Sequence, residues 1–270
     1  MIKIDKKYYP KVFDLYEKCG QEFLLISCVI LNTQEGSIWA DDYINPTNAF
    51  VVNKFGFCYE FGMPHDRDFE EFVTNLAFKD SELKNKYLLW YMPSESRIKM
   101  LDNCPTEMVR RRERIQFEFN KDIYKQISYP LRSLPDGFKT ENLNTGNIDK
   151  TSVFNLNIRE RFWLSYEDFL KNGYGFCVFD ENGNAVSICY TACVSKAKTE
   201  IDVATLEGYR GKNFASYVVK SFIDYSLSIS ITPHWDCFDY NTPSINIAEK
   251  LGFNRKNKYP FYSINRDKLR

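Results

Sequence analysis

Apolar side chains recur along the first half of the chain at spacings that predict both helices and strands. Residues 5–20 carry them every three or four positions, which is typical of an amphipathic helix. A second helix is predicted over residues 66–78, where an acidic residue stands at the start. The nearly unbroken apolar run at residues 22–32 predicts a buried strand, and the alternation over residues 114–119 predicts a half-exposed one.

The second half of the chain has a clearer pattern, in which strands come first and then alternate with helices. The Asn-Gly pair at the centre of "DENGN" predicts a hairpin turn. Strands are predicted at 138–143, 174–179, 185–195, 200–205, 233–238 and 259–264, and helices at 164–173, 212–228 and 242–251. This order favours an α/β (α+β) fold in which helices pack on a mixed sheet.

A weakly patterned segment lies between the two halves. Residues 128–147 contain two prolines, two glycines and several asparagines, a composition typical of a linker. We therefore predict a domain boundary near residue 133, which divides the chain into domains 1–132 and 133–270.

Composition excludes several classes of protein. The 270 residues include 36 basic and 36 acidic side chains, so nothing in the net charge favours nucleic acid or an anionic membrane as a partner. Eight cysteines without C-x-x-C spacing, and only two histidines, His65 and His234, argue against a metal site. No signal-peptide pattern opens the sequence, and its longest apolar run, residues 23–31, is too short to span a bilayer. We expect a soluble cytoplasmic protein with reduced cysteines.

The loop between the predicted strand 200–205 and the predicted helix 212–228 has the chemistry of a phosphate site. It carries Gly208, Arg210 and the pair Gly211-Lys212, directly before a helix N-terminus, where unpaired N–H groups attract anions. The loop is neither a Walker motif, because Asn follows Lys212, nor a G-x-G-x-x-G fingerprint. An ordinary surface loop with two basic residues remains the alternative.

The segment "EIDVATLEGYRGKNFASYVVKSFID" resembles the acetyl-CoA-binding segment of the GNAT N-acetyltransferase superfamily. That segment is a strand followed by Arg/Gln-x-x-Gly-x-Gly/Ala at the start of a helix. Arg210 matches its first position and Ala215 its last, whereas Asn213 stands where a glycine is usual. Asn tolerates the left-handed conformation better than most residues, so the loop can still close.

The resemblance extends over about residues 135–265. "WDCFDYNTPSINIAEKLGF" (235–253) is similar to the following strand and helix of the superfamily, with its frequent Leu-Gly-Phe ending. "IWADDYINP", "NGYGFCVF" and "PHWDCF" resemble a bacterial GNAT group with an extra N-terminal half. The resemblance implies a mixed, mostly antiparallel sheet flanked by helices, preceded by a second α/β domain that is itself a degenerate GNAT-like unit.

The resemblance also implies a set of cofactor-binding residues. Backbone groups of Val203, Ala204 and Thr205 would pair with pantetheine, and Asn241 and Ser244 would contact the pantetheine or sulfur region. The pyrophosphate would be held by Arg210, Gly211, Lys212, Asn213, Phe214 and Ala215.

The sequence also offers candidates for the catalytic residues. By resemblance, Glu200 is the candidate base that takes the amine proton; the alternative is a strand-end residue that faces solvent or pairs with Lys198. The tyrosine that many relatives use as the acid is replaced by Ala248. Cys237 and Tyr240 are the remaining candidates, although a strand cysteine such as Cys237 is also typical of a plain core position.

These patterns together predict an acetyl-CoA-dependent N-acetyltransferase, a monomer or homodimer without a metal. An acceptor with a primary amine would attack the thioester directly, without a covalent enzyme intermediate. A module that binds acyl-CoA without turnover is the main alternative, and the missing tyrosine and Asn213 favour it. A nucleotide-phosphate enzyme is a third hypothesis, against which the failed Walker pattern argues.

Overall fold

The computed structural model describes residues 1–63, 66–79, 82–127, 134–155 and 158–268. Its internal contacts divide the chain into two compact units, Met1–Arg114 with Lys258–Arg270, and Ile115–Asn257. The domain boundary expected near residue 133 lies at the edge of residues 128–133, outside the described residues, and it stays a prediction. We refer to the two compact units as unit 1 and unit 2.

Unit 1 is built on a sheet whose first five strands pair in chain order. Only the fourth and fifth strands are parallel to each other; the other neighbours are antiparallel. Its elements are β1 (Ile2–Lys3), α1 (Tyr9–Lys18), α2 (Leu24–Ile30), β2 (Gly36–Ala40), β3 (Asn48–Asn53), β4 (Phe57–Gly62), α3 (Arg67–Phe78), β5 (Tyr87–Tyr91), α4 (Glu95–Asp102) and the beginning of β6 (Val109–Phe119).

The predicted strand at residues 22–32 is wrong, because this segment forms the helix α2. All of its residues, Leu24 to Ile30, are buried, so the helix has no polar face and its sequence shows no helical periodicity. The helix predicted at 66–78 is confirmed as α3, and the Asp66 carboxylate caps it by accepting a hydrogen bond from the Phe69 N–H at 3.1 Å.

Unit 2 has the same kind of sheet, in the order β7-β8-β9-β10-β11. Only β10 and β11 are parallel. Its elements are the end of β6, α5 (Lys121–Gln126), β7 (Lys139–Asn142), α6 (Ile158–Arg161), α7 (Tyr166–Asn172), β8 (Gly175–Phe179), β9 (Ala185–Ser195), β10 (Lys198–Thr205), α8 (Phe214–Ser228), β11 (Thr232–Phe238), α9 (Thr242–Lys250) and the beginning of β12 (Phe253–Asn265). Each predicted element of the second half is confirmed within a few residues, as is the α/β class.

The core of unit 2 lies between its sheet and the helices α8 and α9. α8 contributes Phe214, Val218 and Phe222, and the sheet contributes Trp235 and Cys237 among others. Asn241 starts α9 by accepting a hydrogen bond from the Ser244 N–H at 3.3 Å. No helix in the described part of the chain is long and apolar enough to cross a membrane.

Candidate active site

The sheet of unit 2 opens between its two parallel strands. β10 pairs with β9 along its full length, from Lys198 to Thr205. Its parallel register with β11 covers only the first three residues and ends where Glu200 lies opposite His234. Both strands continue beyond this pair without further pairing in the parallel register. The remainder of β10 is half-buried and borders an opening between the two strands.

Glu200 and His234 form a buried polar pair at the closed end of this opening. The His234 Nδ1 atom lies 2.6 Å from the Glu200 Oε2 atom. The His234 side chain is 10% exposed and the Glu200 side chain 12%, so water screens the interaction only weakly. A short contact of this kind fixes the orientation of the carboxylate. The sequence left two interpretations of Glu200 open, a catalytic base or a strand-end residue that faces solvent or pairs with Lys198. A solvent-facing Glu200 does not match this geometry.

A second polar cluster lies on the same face of β10. The Asp202 Oδ2 atom accepts a hydrogen bond from the Tyr190 hydroxyl at 2.7 Å and another from the Arg161 guanidinium at 2.8 Å. Burial, with the nearby Asp202 carboxylate as a second cause, raises the pKa of Tyr190 well above its ordinary value. Tyr190 is therefore a neutral donor, and together with Arg161 it fixes the position of the Asp202 carboxylate.

The loop before α8 has the backbone of an anion-binding turn. Gly211 and Asn213 both have left-handed backbones, with φ of 77° and 64°, and Asn213 is the residue that begins the helix. No side chain caps this helix start. Alternation of left- and right-handed residues turns successive N–H groups towards one side, where an anion can bind. Asn213 thus has the left-handed backbone that asparagine tolerates, and its part in closing the turn on a phosphate stays a prediction.

Aromatic packing around Tyr209 holds the loop before α8 against the core of unit 2. The Tyr209 ring lies between Phe138 and Phe214, at centroid distances of 6.1 and 6.0 Å, and its hydroxyl donates to Asp180 at 3.5 Å. Backbone N–H groups of the hairpin lower the pKa of Asp180, with that of Asn184 the largest cause.

The charged residues of the loop remain on its surface. Arg210 is exposed, and its Nε–H donates to the Thr205 carbonyl at 3.4 Å. The Lys212 ammonium lies 5.3 Å from the centre of the Tyr209 ring. Both cations are therefore available to a phosphate at the helix start. The Phe214 side chain is buried in the core, so it can contribute only its backbone to such a site.

The start of α9 brings together the other two predicted cofactor residues. The Asn241 side chain caps the helix, and the Ser244 hydroxyl accepts a hydrogen bond from the Trp235 Nε1–H at 3.0 Å. Ser244 is thereby tied to β11, the strand on the far side of the opening from Val203. Val203 packs against the core of unit 2, and the Ser187 hydroxyl donates to the Ala204 carbonyl at 3.3 Å.

The two candidate acids lie in different surroundings. Cys237 is buried in the core with Trp235. Because side chains alternate along a strand, Cys237 points to the face of β11 opposite to His234. Tyr240 follows the end of β11, is 61% exposed, and stacks on Phe238 at a centroid distance of 5.2 Å. The structure does not bring Cys237 to the face that carries Glu200, and the catalytic roles of both residues stay predictions.

Sequence reasoning missed His234 as part of this site. Its only signal is its position on a strand that, by the predicted element order, neighbours the strand of Glu200. His65, the other histidine, lies outside the described residues. Among the described residues, His, Cys, Asp and Glu side chains form no group of three or more that could hold a metal ion.

Comparisons with known proteins identify the family of this fold and site. The family model described as GNAT acetyltransferase matches residues 14–262. A protein described as an uncharacterized N-acetyltransferase, YdfB of Bacillus subtilis (strain 168), is 27% identical over 260 residues, which are 96% of this chain and 97% of that protein.

Solved structures agree with this assignment at the level of the fold. A GCN5-related N-acetyltransferase-like protein from Streptococcus suis 89/1591 has a TM-score of 0.72 at 22% identity, covering 96% of this chain and 98% of that one. A tandem GNAT protein from the clavulanic acid biosynthesis pathway has a TM-score of 0.67 at 10% identity, covering 97% and 96%. The chain belongs to the GNAT acetyltransferase family and is an acyltransferase of the N-acetyltransferase class.

Proposed function

We propose that unit 2 transfers the acetyl group of acetyl-CoA to a primary amine. The observation that carries this proposal is the opening between β10 and β11, which has an anion-binding helix start at its mouth and the buried Glu200–His234 pair at its closed end. The GNAT family generally uses acetyl-CoA, so the cofactor assignment agrees with the family.

The cofactor would lie along the opening with its phosphates at α8. The N–H groups from Arg210 to Ala215 would hold the pyrophosphate, and the Arg210 and Lys212 side chains would neutralise its charge. Backbone groups of β10 from Val203 to Thr205 would pair with pantetheine. Asn241 and Ser244 would border the sulfur end.

The chemistry requires one bond to form and one to break. The neutral amine nitrogen attacks the thioester carbonyl, the C–N bond forms, and the C–S bond breaks as coenzyme A leaves as a thiolate. A backbone N–H of Val203 or Ala204 would stabilise the negative charge that develops on the carbonyl oxygen. Of the two candidates for protonating the thiolate, Tyr240 is exposed, whereas Cys237 is buried in the core, so we assign this role to Tyr240.

Glu200 would receive the proton of the amine, directly or through water. A carboxyl group has an ordinary pKa of about 4.3 and an alkylammonium about 10.4, so the carboxylate needs a favourable position to act as a base. The 2.6 Å contact with His234 Nδ1 supplies that position, because it fixes the orientation of the carboxylate. His234 is thus a positioning residue in this proposal.

A module that binds acyl-CoA without turnover is the second candidate. Ala248 favours it, because this buried residue stands where the leaving thiolate of many relatives meets a tyrosine. Both candidates require the same cofactor site, and they differ only in whether Glu200 matters for a chemical step.

Release of the coenzyme A thiol from acetyl-CoA, measured against a panel of primary amines, distinguishes the two. We expect turnover with at least one amine. Glu200→Gln and His234→Gln should lower kcat by about 10²-fold or more, the usual effect of losing general-base catalysis, with acetyl-CoA affinity nearly unchanged. Arg210→Ala should weaken acetyl-CoA binding instead. Glu249→Gln makes the same carboxylate-to-amide change at an exposed residue of α9 that pairs with Arg255, and should match the wild type.

Each outcome has a definite meaning. If Glu200→Gln turns over at the wild-type rate, Glu200 is not the base. If acetyl-CoA binds but no amine in the panel releases thiol, the binding module is favoured. If acetyl-CoA does not bind, both candidates fail.

We also propose a cytoplasmic location and a monomer or homodimer. Eight cysteines that mostly lie in apolar segments support the location, because free thiols are typical of reducing compartments. The composition, with equal numbers of basic and acidic residues, gives no support to nucleic acid or an anionic membrane as the partner.

A further inference from the structure

Unit 1 repeats the architecture of unit 2 element by element. In each unit, an edge strand is followed by helices, three strands, a helix, a strand and a helix, and only the last two of the five paired strands are parallel. In each unit this parallel register is short: it covers Phe57 and Cys58 in β4, and three residues in β10. Unit 1 therefore has its own opening, between β4 and β5, at the place where unit 2 would hold its cofactor.

Two tryptophans establish which residues correspond. Trp90 of β5 lies in the core of unit 1, as Trp235 of β11 lies in the core of unit 2. In each unit, the residue three positions after the N-cap of the last helix contacts this tryptophan. After the Ser94 cap of α4, the Arg97 guanidinium lies 5.1 Å from the Trp90 ring. After the Asn241 cap of α9, the Ser244 hydroxyl accepts a hydrogen bond from Trp235. Arg97 of α4 thus corresponds to Ser244 of α9.

The same alignment of the two units shows which residue of unit 2 corresponds to Glu60, the ion-pair partner of Arg97. Trp90 lies opposite Cys58, and continuing the register of unit 2 by one residue places Trp235 opposite Ile201. Glu60, two residues after Cys58, therefore corresponds to Val203, two residues after Ile201. Val203 is one of the residues proposed to pair with pantetheine.

A buried ion pair joins these two positions in unit 1. The Arg97 Nη2 atom lies 3.0 Å from the Glu60 Oε2 atom, and Arg97 Nε also donates to the same carboxylate. The side chains are 3% and 8% exposed. Arg97 is held further by the Glu70 carbonyl at 3.0 Å and by the Thr74 hydroxyl. The pair links β4 to α4, and breaking it would leave an unpaired buried charge, which is strongly unfavourable.

The helix start of unit 1 has the wrong charge for phosphate. The Asp66 carboxylate accepts a hydrogen bond from the Phe69 N–H of α3, and Asp68 and Glu70 outnumber Arg67 in the first turn. In unit 2 the corresponding helix start has an Arg, a Lys and an uncapped asparagine. Carboxylates at this position compete for the same N–H groups and repel a pyrophosphate.

The proton acceptor is also missing from unit 1. The residues that correspond to Glu200 and His234 in this alignment are Phe57 and Leu89, which lie opposite each other. Neither side chain can take a proton.

We infer that unit 1 holds no acyl-CoA, and that the chain binds one acyl-CoA molecule, in unit 2. This inference rests on the proposed function, because it takes acetyl-CoA as the ligand of unit 2. Unit 1 retains the strands and helices of the fold, while the Glu60–Arg97 pair joins β4 to α4 beside its opening.

Native mass spectrometry with acetyl-CoA counts the bound molecules per chain and tests the inference. Two variants exchange the key residues between the units: Ser244→Arg introduces the arginine of unit 1 into unit 2, and Glu60→Val/Arg97→Ser gives unit 1 the side chains of unit 2. We expect one molecule per wild-type chain, at least tenfold weaker binding by Ser244→Arg, and one molecule at unchanged affinity for the double variant. Circular dichroism checks that each variant is folded, and Arg210→Ala repeats the unit 2 test without a bulky substitution.

The outcomes separate the inference from the proposed function. Two molecules per wild-type chain overturn the inference and leave the proposed function standing. A third outcome is that folded Ser244→Arg and folded Arg210→Ala both still bind one molecule, whereas the folded double variant binds none. This outcome places the ligand in unit 1 and overturns the inference. No bound acetyl-CoA on the folded wild type overturns the proposed function, and the inference with it.

Discussion

At the scale of single residues, the turn before α8 depends on the backbone conformation of Asn213. Its φ of 64° is a conformation that glycine adopts freely, asparagine at some cost, and most other residues only with a penalty of about 1–2 kcal/mol. Its side chain makes no cap hydrogen bond. The backbone of Asn213, rather than its amide, is therefore what the loop requires.

Two substitutions at Asn213 test this argument. Asn213→Gly should bind acetyl-CoA as the wild type does, because glycine accepts the left-handed backbone. Asn213→Ala should lower the free energy of unfolding by about 1 kcal/mol and weaken acetyl-CoA binding by up to about tenfold, since alanine must be strained into the same turn. Urea unfolding and isothermal titration calorimetry measure the two quantities. Equal binding by the alanine and glycine variants would contradict a left-handed requirement.

The conformation of Asn213 can be predicted from the sequence, whereas the contact between Glu200 and His234 cannot. The tolerance of asparagine for a left-handed backbone is a local property, so the conformation of Asn213 could be predicted from the residue type alone. The Glu200–His234 contact could not, because its partners are 34 residues apart and meet only through the register of two parallel strands. A shift of one residue in that register would send His234 to the other face of the sheet.

At the scale of elements, the packing of α2 on β2 depends on a glycine. A Cβ atom added to Gly36 would lie 2.5 Å from the Val52 carbonyl oxygen and 2.6 Å from both methyl groups of Val29. These distances are shorter than real Cβ contacts, and Val29 belongs to the fully buried helix α2. Gly36 thus allows the buried helix to lie directly against the sheet.

Gly36→Ala should therefore destabilise the protein. We expect a loss of about 1–3 kcal/mol in the free energy of unfolding, the usual effect of overpacking a core, measured by urea denaturation. Gly208→Ala is the matched control, because a Cβ atom at Gly208 meets nothing within 4 Å, and it should be within about 0.5 kcal/mol of the wild type. A Gly36→Ala variant as stable as this control would show that α2 can move away from β2 at no cost.

The element that the sequence predicted wrongly is the same helix. Hydrophobic periodicity identifies a helix only when one face remains polar, as on α3, which was predicted to begin with an acidic cap. The segment Leu24–Ile30 is buried on every side, and a short apolar run of this kind fits a buried strand equally well. A helix with one polar and one apolar face, such as α3, could be predicted from the sequence, whereas the fully buried helix α2 could not.

At the scale of the whole chain, two strands belong to both units. β6 passes from unit 1 to unit 2 at Arg114–Ile115, and β12 passes from unit 2 back to unit 1 at Asn257–Lys258. The end of β12 pairs with β5 and contributes Tyr262 and Ile264 to the core of unit 1. Unit 1 thus includes residues from both ends of the chain, which a linear reading of composition could not predict.

A cut between residues 132 and 133 should therefore produce two fragments that fold poorly alone. Fragment 1–132 lacks Tyr262 and Ile264 from the core of unit 1, and fragment 133–270 lacks Ile115 and Phe117 from the core of unit 2. Each loss removes several large buried side chains, each of which contributes roughly 1.5–3 kcal/mol, from a core of ordinary marginal stability. We expect neither purified fragment to show a cooperative thermal transition by circular dichroism, whereas the co-expressed fragments should co-elute in size-exclusion chromatography and unfold cooperatively. A fragment that unfolds cooperatively alone, near the melting temperature of the intact chain, would show that residue 133 is an independent domain boundary and that the shared strands are dispensable.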